Sequence, residues 1–158
     1  MPNMKIHPFL WFDTQAEGAA KFYTSMFENS RITEVSRYGD AGPMPAGTAM
    51  TVSFELEGLP ITALNAGPEF KFTEAISLYV DCESQEEVDE LWAKLTDGGE
   101  ESQCGWLKDK FGLSWQIIPK SLPEMLQDKD PAKANRVMQA MLKMSKIETS
   151  ELEAAYNG

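Results

Sequence analysis

The order of predicted secondary-structure elements repeats along the chain, and this repetition constrains the fold more than any other feature. Each half reads as one strand, one helix and three further strands, starting with the apolar run Lys5–Phe12 and again with "EAISLYVDC". Both predicted helices begin with the spacing of a capping box, Thr14-x-x-Glu17 and Ser84-x-x-Glu87, at matching places. The sequence therefore predicts two βαβββ modules, although the sequence identity between the halves is slight.

The two modules and a tail divide the chain into three segments. We place the first module at about residues 4–66, the second at about 72–119, and a helical extension at about 120–158. A length of 158 residues fits one domain or two small, closely packed halves, and we expect a single domain. In the extension, Asp130 followed by Pro131 predicts a helix start, and the helix carries an apolar stripe rich in methionine. Such a stripe favours a core or a subunit interface over a cofactor site.

The last predicted strand of the second module carries polar residues at its centre. In "GLSWQIIP", Ser114 and Gln116 alternate with the apolar residues Leu113, Trp115 and Ile117. Burying an unpaired hydroxyl or amide costs about 1–3 kcal/mol, so both polar side chains need partners. We expect the apolar set to face the helix layer and the polar pair to face a cup. The alternative is that the pair bonds to neighbouring backbone or to trapped water.

The composition argues against several classes of partner. A net charge of −11 disfavours nucleic acid, whose phosphates need a basic patch, and an anionic membrane surface. The longest apolar runs are too short to span a bilayer, and the N-terminus lacks a secretory signal pattern. Cys82 and Cys104 do not form a C-x-x-C pair, which favours two free thiols in a reducing compartment. We therefore expect a cytoplasmic protein.

No motif with a known catalytic or cofactor-binding mechanism occurs in the sequence. It contains neither a GxGxxG nor a GxxxxGKS/T loop, and neither HExxH nor GxSxG. His7 is the single histidine, and its position near the start of an apolar strand favours a structural role. A reactive Cys104 beside Trp106 is a weaker alternative, because no base is adjacent in the sequence. Catalytic residues are therefore unassigned, and the sequence leaves open whether the protein is an enzyme.

Specific segments of the sequence resemble one known family. The segments "PFLWFDTQAEGAAKFYTSMF", "FKFTEAISL", "CGWLKDKFGLSWQ" and "KMSKI", with the βαβββ duplication, are similar to the PhnB-like branch of the vicinal oxygen chelate superfamily. This branch is often labelled 3-demethylubiquinone-9 3-methyltransferase, and the superfamily includes glyoxalase I, extradiol dioxygenases and antibiotic-resistance proteins. The resemblance covers essentially the whole chain. It implies a glyoxalase-like α+β fold, in which two modules form a curved mixed sheet around a cup, with helices added at the C-terminus.

The resemblance also implies where related proteins would place a metal. Aligned with metal-dependent members, the ligand positions fall at Pro8, near Leu64 or Asn65, at about Ala75, and at Gln116. His7 lies one residue from the first of these positions, so its side chain points to the opposite face. Gln116 and Asn65 are uncharged, whereas hard divalent ions prefer anionic oxygens, and zinc prefers imidazole or thiolate. We therefore expect no metal and no other cofactor.

The expected function is the binding of a small, largely apolar organic ligand in the cup of the sheet. Ligand pockets are mainly apolar and contain a few convergent polar groups. The candidate ligand-binding residues are Leu10, Phe12, Ser77, Tyr79, Trp106, Ser114 and Gln116. One alternative is a small-molecule enzyme, a methyltransferase, lyase, isomerase or dioxygenase, with Tyr79 or an acidic residue as acid or base. Another is a structural or regulatory protein, and a homodimer is expected because members of this superfamily pair modules within a chain or across a dimer.

Overall fold

The computed structural model describes residues 4–158, and the chain divides into two compact units between Lys71 and Phe72. This boundary falls between the two predicted modules, and the C-terminal helices belong to the second unit. Each unit contains the predicted order of one strand, one helix and three strands. In the described part of the chain, no helix is both long and apolar enough to cross a membrane.

The first unit contains a four-stranded mixed sheet and one helix. Its elements are β1 (Phe9–Phe12), α1 (Ala16–Met26), β2 (Arg31–Arg37), β3 (Ala49–Leu56) and β4 (Leu59–Asn65). The strand order is β1-β4-β3-β2, with β1 parallel to β4 and the other neighbours antiparallel. Strand β1 occupies only the last four residues of the predicted Lys5–Phe12 strand.

The second unit repeats this topology and adds three helices. Its elements are β5 (Ser77–Cys82), α2 (Gln85–Thr96), β6 (Glu100–Glu101), β7 (Trp106–Lys108), β8 (Ser114–Pro119), α3 (Ser121–Leu126), α4 (Pro131–Met141) and α5 (Thr149–Asn157). The strand order is β5-β8-β7-β6, with β5 parallel to β8. The strands of the two modules therefore form two four-stranded mixed sheets, and neither sheet closes into a barrel.

Helix α2 begins with the predicted capping interaction. Oγ of Ser84 accepts a hydrogen bond from the N–H of Glu87 at 3.2 Å. The carboxylate of Glu87 reaches back one residue further than in a standard capping box and accepts from the N–H of Glu83 at 3.0 Å. The second capping prediction is therefore confirmed in its main contact.

The capping box predicted for α1 at Thr14 and Glu17 is wrong. The helix begins after Gln15, and no side chain from the adjacent residues caps it. The N–H of Ala16 instead donates to Oδ1 of Asn65 at 2.8 Å, so the cap comes from the end of β4. Asn65 is 2% exposed, and its Nδ2 donates to the carbonyl of Ala49 at 3.0 Å. The buried amide of Asn65, bonded to backbone at both ends, therefore takes the place of the predicted cap from Thr14.

Replacing Asn65 with alanine should destabilise the first unit strongly. The variant leaves the N–H of Ala16 and the carbonyl of Ala49 without their partners, and we expect a loss of about 2 kcal/mol in the free energy of unfolding. Urea denaturation followed by circular dichroism measures this loss. Asn135→Ala is the matched control, because Asn135 is exposed in α4, where alanine is a good helix former. Equal stability of the two variants would contradict the assigned role of Asn65.

Leu10 and Phe12 lie on the helix-covered face of the first sheet, so their predicted position in the cup is wrong. Phe12 pairs in register with Asn65, whose amide reaches the start of α1, and Leu10 pairs with the fully buried Ala63. Both side chains are buried, at 7% and 3% exposure. The physical reason is that this face holds the core of the unit, where Tyr23 of α1 also packs. These two residues therefore do not belong to the candidate site.

Strand β8 contributes buried side chains to both faces of the second sheet. Trp115 and Ile117 are at most 1% exposed and lie on the face that packs against α2, as predicted. Ile118, on the opposite face, joins an apolar cluster with the C-terminal segment. The other buried members of this cluster are Leu122, Val137, Met144, Ile147 and Leu152. The methionine stripe is therefore divided, because Met144 lies in this core whereas Met138 is exposed.

Candidate functional site

Six neighbouring side chains on the face of the second sheet opposite α2 form a group that we refer to as the site face. They are Ser77 and Tyr79 on β5, Trp106 and Lys108 on β7, and Ser114 and Gln116 on β8. The pairing register sets them in two rows, Ser77–Ser114–Lys108 and Tyr79–Gln116–Trp106. The structure thus brings together five of the predicted site residues and adds a lysine to them.

The side chain of Gln116 is oriented by its neighbour on the parallel strand. Its Nε2 donates to Oγ of Ser77 at 3.0 Å. Its Oε1 accepts no hydrogen bond from residues 4–158. An amide carbonyl held in this way presents a fixed acceptor on the site face.

Ser114 has the one buried side-chain polar atom that lacks a hydrogen-bond partner in the described chain. The residue is 1% exposed, and its Oγ has no donor or acceptor within reach. It lies at the floor of a recess of about 280 Å³, which is also lined by Glu74, Glu100, Glu101, Ser102, Trp106, Leu107 and Lys108. An unpaired buried hydroxyl costs about 1–3 kcal/mol, so a polar group that enters the recess gains by bonding to it.

An ion pair lies at the rim of this recess. Nζ of Lys108 pairs with the carboxylate of Glu74, and Lys108 also stands opposite Glu100 in the register of β6 and β7. The hydrogen bond and the charge of Lys108 lower the pKa of Glu74. The same hydrogen bond and the charges of Glu74 and Glu100 raise the pKa of Lys108. Both side chains therefore keep their charges across the neutral pH range.

The charged residues of the recess were not predicted from the sequence. Ser77, Ser114, Lys108 and Glu100 form one row across all four strands of the sheet. In the sequence, Lys108 looks like an ordinary exposed residue at the end of a short strand, and Glu100 lies before the short strand predicted around Ser102–Gln103. Only the pairing register places Lys108 beside Ser114 and Glu100 beside Lys108, and that register was not predicted.

Tyr79 presents a protonated hydroxyl on the site face. Burial raises the pKa of its phenol, and the nearby charge of Asp81 raises it further. The side chain is 48% exposed, so its hydroxyl can reach a ligand as a hydrogen-bond donor. A raised pKa disfavours the general-base role that the enzyme alternative gives to Tyr79.

The donors on the site face do not fit a catalytic metal. They are one amide and three hydroxyls, and the carboxylates near them in the described chain are Glu74 and Glu100, which flank Lys108, and Asp81 beside Tyr79. Within residues 4–158, no three His, Cys, Asp or Glu side chains cluster closely enough to hold an ion. Asn65 uses both ends of its amide in the core of the first unit, and the exposed His7 contacts Thr62. These uncharged oxygens therefore do not suit a hard divalent ion or zinc.

Both cysteines are free thiols. Cys82 is fully buried, and burial with the adjacent carboxylate of Glu87 raises the pKa of its thiol to about 12. It is therefore protonated at neutral pH and a poor nucleophile. Cys104 is partly buried in the turn before Trp106, where its N–H donates to the carbonyl of Met144. Within the described residues no base is hydrogen-bonded to the sulfur of Cys104, which leaves the reactive-thiol alternative without support.

Comparisons with known proteins match most of the chain. Residues 4–118 match the family described as 3-demethylubiquinone-9 3-methyltransferase. A PhnB protein structure from Bacillus cereus is 39% identical, with a TM-score of 0.69, over 73% of this chain and 99% of that chain. No curated protein sequence matches the chain. The family match and the identity confirm the resemblance seen in the sequence.

Two more distant structures share the fold. A protein of Pseudomonas aeruginosa is 19% identical, with a TM-score of 0.63, over 75% of this chain and 98% of that chain. A fosfomycin resistance protein, FosX, from Listeria monocytogenes is 17% identical, with a TM-score of 0.52, over 78% of this chain and 98% of that chain. At these identities the likeness concerns the fold alone, and it confirms the predicted α+β, glyoxalase-like class.

Proposed function

Because the chain belongs to the 3-demethylubiquinone-9 3-methyltransferase family, within the vicinal oxygen chelate superfamily, we propose that it binds a small, largely apolar organic molecule on the site face. The observation that carries this proposal is the buried, unpaired Oγ of Ser114 at the floor of the recess. A hydroxyl in this state is stabilised by a ligand that supplies a donor or acceptor. The proposal rests on the second unit alone.

The other groups of the site face supply the remaining features of a ligand site. Oε1 of Gln116 is an oriented acceptor, and the phenol of Tyr79 is a donor. The indole of Trp106 lines the recess and offers an apolar surface. An apolar wall with a few fixed polar groups is the usual composition of small-molecule sites, and the recess is close to the lower end of their size range of about 300–1,000 Å³.

We propose that this binding needs no metal. The family resemblance implies that Gln116 stands where metal-binding relatives carry a carboxylate, and its amide lacks the charge that a hard ion requires. We do not include methyl transfer in the proposed function. Common methyltransferases bind their cofactor at a Gly-rich turn between a strand and a helix of a parallel sheet, whereas β1 and β5 lead to their helices through turns without such a run.

Ligand binding that depends on Gln116 and not on metal is the test of this proposal. Nuclear magnetic resonance with a library of small aromatic and alicyclic compounds should reveal ligands that shift the amide signals of Gln116, Ser114 and Trp106. Gln116→Ala should weaken the binding of such ligands by about tenfold, because one oriented hydrogen bond in a partly buried site is lost. Gln139→Ala, on an exposed position of α4, is the control.

Treatment with a chelator separates the two parts of the proposal. Binding should be unchanged after metal removal, and elemental analysis of protein purified without chelator should find no stoichiometric metal. A loss of binding on chelation that added Mn²⁺ or Zn²⁺ restores would refute the metal-free part. A library without a single ligand for the site face would refute the binding function itself.

We also propose that the protein is a cytoplasmic homodimer. Two free thiols suit a reducing compartment. Met138 lies on α4 and Leu142 directly follows the helix, one turn further along, and they are 38% and 56% exposed, which supports a contact with a second copy. The double variant Met138→Glu, Leu142→Glu should sediment as a monomer under conditions where the unchanged protein and the control Gln139→Glu sediment as dimers. A monomeric unchanged protein would contradict the proposal.

A further inference from the structure

The recess beside Ser114 carries an excess of negative charge. Glu74 and Glu100 line it together with the cation Lys108, which leaves one net negative charge. The carboxylate of Glu101 is not counted, because it points to the α2 side of the sheet, where its Oε1 accepts a hydrogen bond from Nε1 of Trp92. Lys108 is already paired with Glu74 and stands opposite Glu100. An anion that approached Lys108 would therefore meet the surrounding carboxylates, and its binding is disfavoured.

The floor and one wall of the recess suit a cation as well. Oγ of Ser114 is buried and has no partner, so it is an acceptor for an ammonium N–H. Trp106 lines the same recess, and the face of an indole attracts a cation within about 6 Å of its centre. An acceptor, an aromatic surface and carboxylates thus lie around one small cavity.

We propose that the ligand of the site face is an organic cation, a small amine with an apolar body. Its ammonium group enters the recess, donates to Oγ of Ser114 and is paired with Glu100, while its apolar part covers Trp106. This inference rests on the proposed function and names the charge of its ligand.

Three probes that share a phenyl ring and differ in charge test the inference. They are 2-phenylethylamine, 2-phenylethanol and phenylacetate, titrated against the intact chain while the signals of Trp106, Lys108 and Ser114 are followed by nuclear magnetic resonance. We expect the amine to bind about tenfold more tightly than the alcohol at low salt, and the acetate to bind most weakly. The preference for the amine should shrink as salt is raised, because exposed charges are screened.

Two variants assign the effect to the recess. Glu100→Gln should remove most of the preference of the site for the amine over the alcohol. Glu153→Gln changes the net charge equally at an exposed position of α5, and should leave the preference intact. The Ser114→Ala variant should be at least as stable as the unchanged protein, since the substitution removes an unpaired hydroxyl. It should also bind the amine more weakly.

The outcomes separate this inference from the function on which it rests. If the alcohol or the acetate binds as tightly as the amine at Trp106 and Ser114, the site binds ligands but the inferred charge is wrong. If Glu153→Gln abolishes the preference as fully as Glu100→Gln does, the effect comes from the overall charge, and the assignment to the recess is wrong. If no probe shifts these signals, the cation inference falls, and the library screen decides the binding function separately.

Discussion

Replacing Asp109 with alanine lowers the free energy of unfolding by about 3 kcal/mol or more, because a buried carboxylate that accepts several hydrogen bonds is lost. Asp109 is 3% exposed and lies in the turn from β7 to β8. Its Oδ1 accepts from the N–H groups of Phe111 and Leu113 at 2.8 and 3.1 Å, and its Oδ2 accepts from Nε1 of Trp115 at 2.9 Å. Without the carboxylate, these three donors lose their partner in the core.

Two further variants identify the cause of this loss. Asp109→Asn keeps one oxygen for the backbone donors but turns an NH₂ group toward Nε1 of Trp115, so we expect an intermediate loss of about 1–3 kcal/mol. Asp40→Asn, at an exposed loop position, should change stability by less than about 0.5 kcal/mol. Urea denaturation followed by tryptophan fluorescence measures all three variants. A wild-type stability for Asp109→Asn would contradict the role assigned to the Trp115 hydrogen bond.

Replacing Gly99 with alanine should destabilise the second unit by about 1–3 kcal/mol, because the site has no room for a methyl group. A Cβ atom at this position would collide with the carbonyl oxygen of Lys108 and lie 2.9 Å from the carbonyl carbon of Asp109. Both atoms belong to backbone, which cannot move aside as the end of a flexible side chain can. The collision would push β6 away from β7 and distort the recess beside Lys108.

The same substitution at Gly18 should have the opposite effect and stabilise the protein. Gly18 lies inside α1, and a Cβ atom there would contact nothing within 4 Å. Alanine is better than glycine in a helix by about 0.5–1 kcal/mol, so Gly18→Ala should raise the melting temperature. Thermal unfolding of the two variants side by side measures the contrast. A stabilising Gly99→Ala would show that β6 can shift at little cost, contrary to the structure.

The two helix starts illustrate which features the sequence can reveal. The cap of α2 joins Ser84 to a backbone group three residues away, so the local pattern identified it. The cap of α1 comes from Asn65, 49 residues along the chain from Ala16. The local pattern at Thr14 has the same residue types, and only the packed position of β4 decides that it is not used. A cap supplied by a residue close in the chain can be recognised in the sequence, whereas a cap supplied by a distant strand cannot.

The same distinction explains the candidate site. Ser114 and Gln116 alternate with large apolar residues, so their common face could be predicted from a period of two. Leu10 and Phe12 stand in an unbroken apolar run, in which either alternate set can face the core, and the choice made from sequence was wrong. The charge of the recess depends on the pairing of Lys108 with Glu100 and Ser114, which the sequence of two very short strands does not specify.

The different origin of the two caps gives the repeated modules different folding histories. During synthesis, α2 can close its first turn as soon as its own residues are available, because its cap is local. Helix α1 gains its capping hydrogen bond only after β4 has been made and has joined the sheet, since the amide that caps it arrives last in its module. Two modules with one topology therefore complete their helix starts in a different order, one by a local contact and the other by a contact from its sheet.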